Sequence, residues 1–360
     1  MWRKIVGIVA IILGWGAVLA YILYASTIAK EFRDEQVVKE VVVSVVDSTE
    51  TRQFASSAGI YRKLRREGFK FENQPIGSVD IVSATDFLRK SGYISDVDMY
   101  VTSSGKLVVN VDQHEPIVRL MTNGYNSYIT EEGYTFRSPV GSAYYTAIIT
   151  GTFRPLFAST FEGDIEEHYE GLIEQQEQRL HNLATKYSDL RHKERRCKER
   201  KRELLKDKRK GIFESKKNYE LRLVGVQQGL AKCDSESQQL KSDIREVERR
   251  QRAVKNVEQR LAKRYNDFCG LLDFVKRVEA DDFWSAEIVQ FVADTTLQGE
   301  IRLRLVPRSG DFSIEFGTLA MATEKMDKLR KFYDEGLTNM GWERFSKIDL
   351  RYNNQVICTE

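Results

Sequence analysis

Prolines, cysteines and histidines are scarce in this chain: five, four and four among 360 residues. The cysteines (Cys197, Cys233, Cys269, Cys358) form no CxxC pair, and the histidines (His114, His168, His181, His192) lack HExxH or any other zinc spacing. No metal site follows from them. GxSxG, Walker and SxxK motifs are absent too, and scattered Ser, His and Asp residues do not define a nucleophile with its base. The expectation is a protein that is not an enzyme and holds no cofactor. Proline is missing altogether from Asp164 to Phe268.

One long stretch lacks charge. From Ile5 to Tyr24, IVGIVAIILGWGAVLAYILY contains no Asp, Glu, Lys or Arg, and a helix of that length matches the roughly 30 Å hydrocarbon core of a bilayer. Arg3 and Lys4 precede it, and Trp2, Tyr21 and Tyr24 lie near its ends. Positive charge inside and an aromatic belt then give a short cytoplasmic tail (1–4), one transmembrane helix (5–24) and an extracytoplasmic remainder. A cleaved signal peptide is the alternative. Its apolar stretch normally runs about 7 to 15 residues and closes on a small-x-small site; this run is longer and no good site follows. Outside the cytoplasm the four thiols meet a compartment that can be oxidising.

Beyond the juxtamembrane stretch, VKEVVVSVVDS (Val38 to Ser48) is rich in β-branched residues and predicts a strand. IYRKLRREGF (Ile60 to Phe69) puts Ile60 and Leu64 on one helical face and stops at Gly68. SATDFLRKSGYI (Ser83 to Ile94) repeats that logic, with Ser83 or Asp86 as cap, Phe87 and Leu88 inward and Gly92 at the end. VDMYVTSSGKLVVNVDQHEPI (Val97 to Ile117) is two alternating runs around SSG, a hairpin. A β-rich stretch follows in SYITEEGYTF and AYYTAIITGTF.

From about Asp164 to Phe268 charge is dense and apolar positions recur at 3-4 spacing, which predicts a coiled coil. Gly211 in KGIFESKKN breaks the phase, so two antiparallel helices are expected, each projecting roughly 65 to 70 Å. A hairpin centred near residue 215 matches Ile165 with Tyr265, Leu183 with Val247, Leu190 with Leu240 and Leu204 with Val226. It also sets Cys197 opposite Cys233, a pair able to form a disulfide; two free core thiols are the alternative. Around the bend, Arg191 to Arg222 holds 15 Lys and Arg against 6 Asp and Glu. That excess is either a solvated surface or an attractor of anionic lipid or wall polymer.

After the hairpin, DFSIEFG (Asp311 to Gly317) predicts a strand, and MATEKMDKLRKFYDEGL (Met321 to Leu337) a helix burying Met326, Leu329, Phe332 and Tyr333. KIDLRYNNQVI predicts a final strand with Ile348, Leu350, Tyr352 and Asn354 on one face and Asp349, Arg351, Asn353 and Gln355 on the other. As an open edge it could take a partner strand; the alternative is a strand that closes the sheet with Tyr352 in the core.

Three stretches carry a family resemblance. SGYISDVDMYVTSSGKLVVNVDQHEPIVRL is similar to the second half of a POTRA domain, and YITEEGYTFRSP to the strand-turn-strand that follows it in the FtsQ/DivIB family of bacterial cell-division proteins. The end, FGTLAMATEKMDKLRKFYDEGLTNMGWERFSKIDLRYNNQVI, resembles the family's strand-glycine, KL-containing helix and IDLRY signature, in the form of its Bacteroidetes branch. The resemblance implies an α+β fold: a POTRA-like βααββ domain (36–115), then a β domain (116–162 and 269–360) interrupted by the coiled-coil hairpin (163–268), which departs from the family. It further implies an inner-membrane, septal scaffold that binds FtsB- and FtsL-type partners and helps control septal peptidoglycan synthesis. Strand addition at the C-terminal edge would then use Tyr352, Asn354, Gln355 and Val356. A periplasmic adaptor of an efflux or secretion system also joins one anchor to an α-hairpin, but the two lipoyl half-motifs that flank such hairpins are not found here.

Overall fold

The computed structural model describes residues 14–27, 36–45, 54–139, 141–212, 214–337, 341, 344–352 and 355–360. The expected tail, residues 5–13 of the charge-free run, residues 46–48 and Asn354 lie outside the described residues. Residues 14–27 are helical, with Trp15, Leu19, Tyr21 and Leu23 exposed. Among the described residues no helix is long and apolar enough to cross a membrane.

The first layer grows from local signals. β1 (Glu40–Val45) is followed by α1 (Ser57–Glu67), where the Ser56 hydroxyl accepts from the Gly59 N–H. Ile60 and Leu64, four apart, are buried on one face, and Gly68 closes the helix at φ 102°. α2 (Ile81–Arg89) begins earlier than expected. Its cap is Asp80, which accepts the Ser83 N–H at 3.0 Å, rather than Ser83 or Asp86. A carboxylate just ahead of the first turn meets both the free N–H groups and the positive helix end. β2 (Ile94–Val101) and β3 (Lys106–Gln113) form the hairpin, and the sheet order is β1-β3-β2 with β1 parallel to β3. Ile60, Leu64, Leu88, Leu107, Val109 and Val111 fill its core.

The second sheet draws on both sides of the helical segment. β4 (Pro116–Leu120), β5 (Ser127–Thr130), β6 (Tyr134–Arg137), β7 (Ala147–Thr150) and the two-residue β8 (Gly163–Asp164) come before it. α5 (Asp282–Glu287), β9 (Ile288–Thr295), β10 (Ile301–Pro307), β11 (Ser313–Gly317), α6 (Ala322–Lys331), β12 (Lys347–Asp349) and β13 (Ile357–Thr359) come after. The order is β13-β12-β11-β10-β9-β7-β4-β5-β6-β8. β7 and β9 pair in parallel, so residues 142 positions apart in sequence (Ile148 and Gln290, for example) are direct neighbours.

Phe54 joins the two sheets. Its ring lies 6.0 Å from Tyr93 at the start of the β2–β3 layer, 4.9 and 5.2 Å from Tyr128 and Phe136 of the larger sheet, and 5.1 Å from Tyr144 in the loop between β6 and β7. The Gln113 amide accepts the Phe54 N–H at 2.7 Å and donates to the Ala55 carbonyl at 2.8 Å, which fixes the segment leading into α1.

The helical unit comprises residues 154–158 and 164–274. α3 (Ile165–Lys206) starts at Asp164, whose carboxylate accepts the Glu167 N–H, and its 42 residues span about 63 Å. α4 (Lys216–Glu279) runs eleven residues past 268, where the heptad pattern ends. Leu271, Leu272, Phe274, Val275 and Val278 are all buried in that extension, as is Phe268 just before it. Leu190, Ile244 and Val247 form a cluster with Leu183, Tyr187 and Leu240, so the helices pack antiparallel.

Long side chains pair with an offset. A centre at residue 215 sets Tyr169 level with Leu261 and Lys201 level with Gly229. Tyr169 instead stacks on Tyr265 at 4.1 Å, and Lys201 pairs with Asp234, four and five residues farther along α4. Helical side chains lean toward their own N-terminus, so in an antiparallel pair two long ones meet only when both start farther along their helices. Short cysteines need no offset. The Cys197 thiol donates to the Cys233 carbonyl at 3.3 Å; both residues are buried and both thiols are free. Burial, before the neighbouring sulfur, raises the Cys197 pKa and disfavours the thiolate that exchange requires.

Arg222 holds the bend together from within. Its guanidinium grips the Glu214 carboxylate at 2.7 and 2.9 Å and donates to the carbonyls of Asp207 and Arg209, while the Tyr219 hydroxyl donates to that of Lys208 at 3.2 Å. These carbonyls belong to the C-cap residue of α3 and to the turn just beyond it, where no following helical turn supplies a donor. Arg222, and then the Gly211 N–H, push the Glu214 carboxyl from its ordinary 4.5 down to about 2. Because the folded value is the lower one, the clamp's contribution is complete above about pH 4.5 and is lost as pH falls through about 2. Glu214→Gln at neutral pH is expected to reproduce the acid state, with faster amide exchange at Gly211 and Asn218 and an unchanged global melt. Exchange equal to wild type would show that the clamp is idle.

Candidate partner-binding edge

β12 is short because its sequence turns on itself. Ile348 and Leu350 are fully buried, and the Leu350 N–H donates to the Glu315 carbonyl of β11 at 3.0 Å. At the next residue the Arg351 N–H donates to Asp349 Oδ1 at 3.0 Å, and its guanidinium closes on the same carboxylate at 2.5 to 3.1 Å. Asp side chains take the backbone N–H two residues on in this way and end a strand. The Arg351 hydrogen bonds outweigh burial and hold the Asp349 carboxyl below its usual range. Lys328 of α6 donates to the Tyr352 carbonyl at 2.8 Å, fixing the chain as it leaves the sheet. Gly317 (φ 76°) makes room: a Cβ there would lie 2.7 Å from Arg351 Cγ.

The single alternating strand expected over KIDLRYNNQVI is therefore two strands and a bend. After Asp349 the chain returns as β13, antiparallel to β12, pairing Lys347 with Thr359, Ile348 with Cys358 and Asp349 with Ile357. The face shared by Ile348 and Leu350 does not extend to Tyr352, which is 47% exposed. Gln355 is exposed and Val356 half-buried on the approach to β13. Of the four residues expected at the partner site, three thus flank or lead into the last strand, and Asn354 lies outside the described residues.

β13 ends the sheet and has no outer strand partner among the described residues. Alternate backbone groups of such a strand point away from the sheet and can bond an added strand, with Tyr352 and Ile357 (39% exposed) within the same few residues. The Arg344–Glu360 ion pair at 3.0 Å is exposed on both sides and contributes little. Among the described residues no group of His, Cys, Asp and Glu is arranged to hold a metal ion.

One residue behind the edge escaped the sequence pattern. Lys325 is 8% exposed; it donates to the Thr318 carbonyl at 2.6 Å and lies 5.0 Å above the Phe316 ring, and burial lowers its pKa. Its signal was spacing: Lys325 precedes Leu329 by four, on the stripe that Leu329 and Tyr333 continue. Tyr333, just past the end of α6, is buried as expected, with its hydroxyl donating to Glu287 at 3.0 Å, which ties that turn to the α5–β9 corner.

Residues 248–359 match the family described as FtsQ/DivIB, C-terminal related, and residues 36–112 match the POTRA-like domain. The first match begins inside α4, so the later half of that helix belongs to the family pattern although heptad reading assigned most of it to the departure. No curated protein matches the chain.

Proposed function

Because the chain belongs to the FtsQ/DivIB family of bacterial cell-division proteins, we propose that it is a bitopic scaffold of the division machinery with no chemistry of its own. In this reading it sits in the inner membrane at the septum with its bulk in the periplasm. There it holds FtsB- and FtsL-type partners and thereby helps control septal peptidoglycan synthesis. The observation that carries the partner reading is the open end of the ten-stranded sheet, formed by residues inside the C-terminal family match. The exposed apolar side chains of helix 14–27 support the anchor.

The test is co-purification of the full chain with the FtsB- and FtsL-type proteins of its own organism. Capture is expected, and Tyr352→Ala should weaken it by about 30-fold, the effect of removing an interfacial aromatic anchor worth about 2 kcal/mol. A chain lacking residues 165–265 should capture as well as wild type. Failure of the intact chain to retain either partner would sink the reading.

A further inference from the structure

We infer that the bend of the α3–α4 pair is a docking point for an anionic phospholipid surface. The proposal goes beyond the scaffold reading and does not depend on it. Between Leu205 and Arg222 stand seven Lys and Arg against three Asp and Glu. Arg222 and Glu214 neutralise each other inside the clamp, which leaves six cations against two anions. Lys206, Lys208, Arg209, Lys210, Lys216 and Lys217 are exposed and make no ion pair among the described residues.

Charge alone would suit any polyanion, and the apolar residues make the choice. Ile212 is 95% exposed at the apex, with Leu205 (47%) at the end of α3 and Leu221 (67%) and Val224 (54%) in the opening turns of α4. An isoleucine thrust into water gains nothing from a sugar or phosphate polymer, whereas an acyl-chain boundary beneath anionic headgroups accepts it. The inward clamp matters here: Arg222, Glu214 and Tyr219 hold the bend closed, so its apolar apex need not be ordered on contact. A basic, apolar-tipped and preformed loop has the complementarity of a bilayer carrying negative headgroups.

The experiment holds the full chain in a phosphatidylcholine nanodisc and mixes it with sedimentable vesicles. Co-sedimentation is expected with vesicles containing phosphatidylglycerol and not with phosphatidylcholine alone, and it should fall with salt. Lys208→Gln with Lys210→Gln should weaken it about fivefold per lysine, and Ile212→Ser about tenfold. Lys241→Gln with Lys255→Gln, on α4 away from the bend, should leave it unchanged. Equal binding to neutral vesicles, wild-type binding by Ile212→Ser, or sedimentation with isolated peptidoglycan instead of vesicles would each overturn the proposal. FtsB- and FtsL-type capture measured on the same variants should stay at wild type, which separates this failure from failure of the scaffold reading.

Discussion

Phe54→Ala is expected to remove about 3 to 4 kcal/mol and to divide one thermal transition into two. The magnitude follows from truncating a ring that is 6% exposed and surrounded by four aromatic neighbours, a substitution that removes its transfer energy and leaves a cavity. The splitting follows from position. Tyr93 belongs to the three-stranded layer, while Tyr128 and Phe136 belong to the ten-stranded one and Tyr144 to the loop between its β6 and β7, and Phe54 touches all of them. Without it the joint retains the His114 ring against Tyr134 and Phe136 at 4.3 and 5.6 Å, the Gln113 amide bonds to Phe54 and Ala55, and the His114 N–H to the Tyr93 carbonyl at 3.0 Å. Those polar contacts fix direction, but each contributes only about 1 kcal/mol net. Calorimetry of the full chain reads both effects, and Phe54→Leu should restore a single transition at reduced temperature. One unchanged transition in Phe54→Ala would show that the layers are coupled elsewhere.

What the sequence disclosed, and what it hid, divides along the range of the interactions. α1 was legible because Ile60, Leu64 and Gly68 state a face and a stop within nine residues, and β2 and β3 because alternation and SSG are local. The pairing of α3 with α4 was legible too, since two long stripes constrain one another at many points. The lean of side chains toward the helix N-terminus, which moves Tyr169 onto Tyr265, adds an offset that counting alone omits. Asp80 was hidden because several polar residues near Ile81 could cap, and only the backbone shows which one does. The parallel neighbours β7 and β9 were hidden because nothing local links Ile148 to Gln290 across the helical unit. At the edge, the alternation of KIDLRYNNQVI predicts one strand, and the same residues carry competing signals. Asp349 can take the N–H two residues on, and Asn353–Asn354 are turn formers.

That bend changes the variant that tests the edge best. Removing Ile357 to Glu360 is expected to reduce capture of the FtsB/FtsL-type partner by at least 100-fold while lowering stability by no more than about 1 kcal/mol. The small structural effect follows because β13 contributes only three cross-strand pairs and no fully buried side chain. The large binding effect follows because β13 carries the outward backbone groups on which an added strand must bond, and backbone bonding provides most of the affinity in strand addition. Two geometries compete. A partner bonding to the free side of β13 loses its site on truncation, whereas a partner displacing β13 to reach β12 meets a cleared edge and binds more tightly. The first is favoured because Asp349 and Lys328 hold Arg351 and Tyr352 in the bend that returns the chain to β12, so displacement would have to open those bonds as well. Cys358→Pro separates the cases without shortening the chain. It removes one backbone donor from β13, weakening its own pairing or the partner's, so capture falls in the first geometry and holds or rises in the second. Tighter capture by the truncated chain, with an unchanged melt, would transfer the site from β13 to β12.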